Sequence, residues 1–99
     1  MIQAIIRDNS KRIKVKAQGM KGFIYEMVDT LNTLKRFKEF PLETIWDDDC
    51  TICIYRDNDL IFWTGTTPDT WEAPHLIDSL NNIDPKDSNF KVTLLETEE

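Results

Sequence analysis

Polar and apolar residues alternate along the first seventeen positions. Ile2, Ala4 and Ile6 take every second place, and Ile13, Val15 and Ala17 do so again against Arg12, Lys14 and Lys16. A period of two is the mark of a half-buried strand. Asp8-Asn9-Ser10 supplies turn chemistry between the runs, so the chain is expected to open as a hairpin. Gly19 interrupts the alternation. Beyond it Met20, Phe23, Ile24, Met27, Val28, Leu31 and Leu34 recur at spacings of three and four. That spacing predicts one long helix over residues 20–38. Lys35, Arg36 and Lys38 suit its negative C-terminal end, and Pro41 stops it.

The second half returns to strands. Thr44-Ile45-Trp46 has the composition of a short strand. Residues 50–56 and 60–66 are rich in β-formers, and Asp57-Asn58-Asp59 between them predicts a second hairpin. Pro74 suits a first helical turn, with Leu76, Ile77, Leu80 and Ile83 on one face of a short helix. Phe90, Val92 and Leu94 alternate with Lys91 and Thr93 in a last strand, and residues 96–99 read as a frayed acidic tail. The expected order is β-β-α-β-β-α-β. This is an α+β fold: a mostly antiparallel sheet of about five strands, one long helix packed on one face, and a short second helix. No internal repeat or linker is visible, so residues 1–99 are expected to form a single small acidic domain.

Charge changes the picture once it is resolved along the chain. The 99 residues carry a net −6. Residues 1–42 hold nine basic and four acidic residues, a net +5, whereas residues 43–99 hold three basic and fourteen acidic, a net −11. The apolar run of Met1–Asp8 is too short and broken for a secretory leader, and no run approaches the ~20 residues of a membrane span. Two cysteines three apart cannot staple distant parts of the chain. A cytoplasmic protein is expected.

Catalytic and metal chemistry is thinly represented. The three glycines form no phosphate-cradling pattern, and a single histidine excludes two-histidine metal signatures. Cys50 and Cys53 make a CxxC, but residues three apart on a strand face opposite sides, and three aspartates just before it disfavour thiolate. They are read as reduced strand cysteines, and His75 as a partly exposed residue on the short helix. No cofactor, no metal and no enzymatic activity are expected.

Two surfaces remain. Folding the second hairpin brings Trp46, Asp47, Asp48 and Asp49 towards Asp69, Trp71 and Glu72, so five carboxylates and two tryptophans would share one end. Asp57 and Asp59 would mark the other end, about 20–23 Å away. Tryptophan is over-represented at binding hot spots, and clustered carboxylates steer a basic partner. Trp63, mid-strand, is assigned to core or sheet-face packing. The leading expectation is a non-enzymatic binding protein, an inhibitor or adaptor of phage or mobile-element type. It would dock its acidic half on a basic surface, in the sharpest form by mimicking nucleic acid. The alternative surface is the basic hairpin, with Arg7, Lys11, Arg12, Lys14 and Lys16 on phosphates or, as a lysine-protected sheet edge, on nothing. A further alternative is head-to-tail self-association of the basic half on the acidic half.

Overall fold

A computed structural model describes residues 1–47 and 51–97. Six strands and two helices follow in the order β1 (Ile2–Asp8), β2 (Lys11–Ala17), α1 (Met20–Leu31), β3 (Leu42–Asp47), β4 (Thr51–Arg56), β5 (Asp59–Gly65), α2 (Ala73–Asn81) and β6 (Phe90–Thr97). The α+β class and antiparallel pairing are as the pattern predicts. The single five-stranded sheet is not. The strands form two three-stranded antiparallel sheets, β2-β1-β6 and β3-β4-β5.

Both hairpins close on two-residue turns whose backbone needs the left-handed region. Asn9 sits at φ 56°, and Asp57 and Asn58 at 50° and 68°. Asn and Asp tolerate that region best among residues with a side chain. These turns also fix the register, pairing Asp8 with Lys11 and Arg56 with Asp59.

The first helix stops short of its apolar pattern. α1 ends at Leu31, and a single 3₁₀ turn covers Lys35–Phe37. The cause is Asn32. Its side-chain amide donates to the Leu42 carbonyl at 2.9 Å and its Oδ1 accepts from the Leu42 amide at 2.8 Å, turning the chain into β3. Leu34 and Phe37 still reach the core from the irregular segment. The basic run therefore does not cap a helix. Arg36 lies between Asp8 and Asp87 instead, 2.5 Å from Asp8. Thr44-Ile45-Trp46 belongs to a full six-residue strand. Glu96 and Thr97 continue β6 rather than fraying, while residues 98–99 lie outside the described chain.

The two halves share one plan, which no sequence repeat announces. Each is a hairpin, a helix and a strand: β1-β2-α1-β3 and then β4-β5-α2-β6. In each, the hairpin's first strand is the centre of a sheet, and the sheet's third strand comes from the other half: β6 on β1, and β3 on β4. Each helix packs on its own hairpin and its own last strand, α1 on β2 and β3, α2 on β5 and β6. The Asn32 device recurs as well. Asn81, at the end of α2, donates to the Val92 carbonyl and accepts from the Val92 amide, both at 2.8 Å.

The inner faces of both sheets and the apolar faces of both helices meet in one core. Ile2, Ile6, Phe23, Ile24, Met27, Leu31, Ile52, Ile54, Leu76 and Leu80 are fully buried there. Both helices lie against inner faces, so the outer face of each sheet is left to solvent or to partners.

Candidate functional site

The predicted convergence of loops holds at the level of backbone register. Asp47 pairs with Thr51, and Thr51 with Gly65, so the end of β3, the start of β4 and the end of β5 share one end of the second sheet. Asp48, Asp49 and Cys50 lie outside the described residues. Trp46 and Trp71, however, stand at opposite edges of that sheet. The backbones of β3 and β5 are separated by β4, about 10 Å apart.

Trp46 works as a strut. Its ring stacks on Tyr25 of α1 with centroids 6.4 Å apart and planes 20° off parallel, and its indole N–H donates to the Tyr25 hydroxyl. The Lys21 ammonium sits 4.2 Å from the ring centre, a favourable cation–π distance. Nearly half the residue remains exposed.

Trp71 is presented outward on a 3₁₀ turn, Thr70–Glu72. Its indole N–H donates to Asp69 Oδ2 at 3.2 Å, and its ring meets His75 of α2 edge-on with centroids 5.9 Å apart. Glu72, expected at a binding surface, also holds the loop. Its Oε1 accepts the Thr64 hydroxyl at 2.5 Å, and its Oε2 accepts the Asp69 amide at 3.1 Å. Its role is to place Trp71.

Trp63 corrects the sequence reading. It is 63% exposed, close to the 65% of Trp71, because its neighbours Phe62 and Thr64 take the inward positions of β5. The signal was present: if Phe62 points in, period two points Trp63 out. Trp63 completes a cross-strand row with Cys53 and Ile45 on the outer face. At the free edge of β5, between the sheet and α2, it also lines an open groove of about 450 Å³ with Phe62, Thr64, Trp71, Glu72, His75 and Ser79. At the other end of this face Phe40, Ile45 and Tyr55 line a second hollow of about 450 Å³, rimmed by Glu39, Glu43 and Asp57. The outer face of the second sheet thus carries Ile45, Cys53, Tyr55 and Trp63 with carboxylates at one margin, and Trp63 joins it to the groove at the β5 edge.

The outer face of the first sheet has opposite chemistry. Arg12, Arg7 and Lys91 occupy one transverse row across β2, β1 and β6. Lys14, Ile5 and Thr93 form the next, and Lys16 pairs with Gln3 beyond. Lys91 joins this group from the far end of the chain, which sequence reading missed. Lys11 leaves it, standing in register with Asp8 on the other side of the sheet.

Arg36, Asp8 and Asp87, away from both faces, form a structural cluster. Burial disfavours the Arg36 cation, but the hydrogen bonds and charges of Asp87 and Asp8 outweigh it and hold the pKa above its ordinary value. The Arg36 hydrogen bond, helped by the Asn89 amide, holds Asp87 below the usual carboxylate range. Cys53 is a buried free thiol in β4. Among the described residues no group of His, Cys, Asp and Glu has the arrangement of a metal site, and no helix is long and apolar enough to cross a membrane. Comparison with protein-family models, curated proteins and solved structures finds no match for this chain.

Proposed function

We propose that this chain is a non-enzymatic protein-binding module, an inhibitor or adaptor, that docks the β5 edge of its second sheet, with the adjoining outer face and the Trp71 turn, on a basic surface of a partner protein. The observation that carries the reading is the pair Trp63 and Trp71, both about two-thirds exposed on one groove. Contiguous exposed apolar surface with a polar rim marks an interaction site, and tryptophan is the residue most enriched among binding hot spots. The partner chemistry follows from the rim. Glu39, Glu43 and Asp57 border the hollow at one end, Asp69 is hydrogen-bonded to Trp71 at the other, and the second half of the chain carries a net −11. The complement is a protein presenting Arg and Lys around an apolar cleft, as proteins that bind polyanions do. Asp47, Asp48 and Asp49 extend the acidic margin in sequence and contribute steering and on-rate.

The test is capture of a partner by tagged protein at low and high salt, followed by binding of the two purified proteins. Trp63→Ala with Trp71→Ala should weaken the purified complex at least about 30-fold, the effect of losing a hot spot. Asp47, Asp48 and Asp49 changed together to Ala should slow association and flatten its salt dependence. Undiminished binding by a folded double-Trp variant would overturn the reading.

A further inference from the structure

The first sheet offers a second, separate surface. Arg7, Arg12, Lys14, Lys16 and Lys91 are all exposed and lie on one face of three adjacent strands. With strands about 4.8 Å apart and alternate residues about 6.7 Å apart, they occupy roughly 10 by 14 Å. Arg7 is flanked by a cation on each side, Arg12 and Lys91. Like charges directly opposite one another on neighbouring strands destabilise a sheet. The chain holds eighteen acids against twelve Lys and Arg, yet no ion pair joins a described acid to any of these five. Glu96 takes the register position beside Gln3, at the far end from Arg7. Two described acids, Asp8 and Asp87, pair with Arg36 instead. Arg7 donates only to the Ser88 carbonyl, at 3.2 Å.

We infer that this face is a contact surface for the phosphate backbone of duplex nucleic acid, bound without regard to sequence. Arg7, Arg12 and Lys91 line an open depression of about 370 Å³ with Ile5 and Leu95, and Lys14 and Lys16 extend the row beyond it, so the cations are not gathered into a pocket for one small anion. A repeating polyanion engages several of them at once and relieves their mutual repulsion. No aromatic side chain lies among the residues of that depression. Stacking platforms for unpaired bases are therefore absent from it, which favours duplex over single strand. A second copy of the chain, whose second sheet carries carboxylates at the margin of its outer face, is the competing occupant that light scattering without DNA tests. The surface lies on a different sheet from the tryptophan groove and stands or falls apart from it.

The experiment is fluorescence anisotropy of two unrelated labelled duplexes of about 20 base pairs, titrated with the whole chain between about 20 and 200 mM salt. Equal affinities for the two duplexes are expected, with a log–log salt slope of about −3 to −4, near −0.9 per phosphate engaged. Arg7→Gln with Lys14→Gln should bring the slope about 2 units nearer zero and weaken binding at least about tenfold at low salt. Lys38→Gln, an exposed lysine off this face, should change neither. If the Arg7 variant does not fold by circular dichroism, Lys14→Gln with Lys16→Gln reads the same slope. Three results would overturn the inference: no binding by folded protein at low salt, equal loss in Lys38→Gln, or a salt-sensitive rise in mass by light scattering, without DNA, that Arg7→Gln with Lys14→Gln abolishes. The last would assign the face to a second copy.

Discussion

The Thr64 hydroxyl, almost wholly buried, donates to the Glu72 carboxylate at 2.5 Å, and this bond holds Trp71 beside Trp63. A hydrogen bond to a charged acceptor contributes about 1.5–3 kcal/mol. Thr64→Val keeps the shape and removes the donor. It should lower Tm by about 6–24 °C, since about 1 kcal/mol corresponds to 4–8 °C in a domain this size. It should also weaken partner binding, because Trp71 loses its support. An unchanged melting curve would show that the loop is held by other contacts.

The tryptophans of the groove should separate binding from stability. Trp63→Ala and Trp71→Ala remove exposed side chains, and each should change stability by no more than about 0.5–1 kcal/mol in urea denaturation. Phe23→Ala empties a fully buried site of α1 and should cost about 3–5 kcal/mol. A large loss for Trp63→Ala would assign that residue to packing, in the core or on the sheet face, as its sequence context suggested.

Asn32 and Asn81 do the same work in the two halves, each satisfying both backbone groups of a strand residue. Changing either to Ala strands a part-buried N–H and C=O, at a cost of about 1–3 kcal/mol. The two losses should be similar, and they should add in the double variant, because the devices sit on different helices and strands. Chemical denaturation of the two single variants and the double checks both points.

Arg36 and Asp87 predict the shape of the acid limb. The folded pKa of Asp87 is depressed, so its contribution is complete above the ordinary aspartate value of 3.8 and disappears as pH falls through the folded value. Asp87→Asn should lower stability at neutral pH and leave a flatter decline below about pH 4. Arg36→Met removes both pairings and the guanidinium 4.7 Å from the Phe90 ring centre, a loss of about 1–3 kcal/mol at neutral pH. Melting curves between about pH 2 and pH 7 distinguish these outcomes.

Local features were legible in the sequence, and long-range ones were not. Asn9 and Asn58 announce their turns because few side chains accept positive φ, and the alternation around Val15 and Phe62 follows from the pleat. The end of α1 was hidden because Leu34 and Phe37 continue its spacing and are buried, though by an irregular route set by a contact ten residues away. Division into two sheets depends on β6 finding β1 and β4 finding β3, pairings that periodicity does not encode. For the same reason Lys91 could not be placed with Arg7. The exposed Trp46 and Trp71 belonged to the predicted site, but the role of Glu72 as a clamp depends on Thr64, eight residues earlier and on another element. The shared plan of the halves left no trace because the side chains at matching places have diverged: one outward face became cationic and the other aromatic.

The exchange of last strands has a consequence for how the molecule comes apart. Without β6 the first sheet is only a two-stranded hairpin, and without β3 so is the second. An isolated hairpin of that kind is at best marginally stable in water. Neither half can therefore melt while the other persists. Loss of either helix and its terminal strand opens a raw sheet edge in the opposite half, so the chain unfolds as one cooperative unit, and the cationic and aromatic faces are lost together.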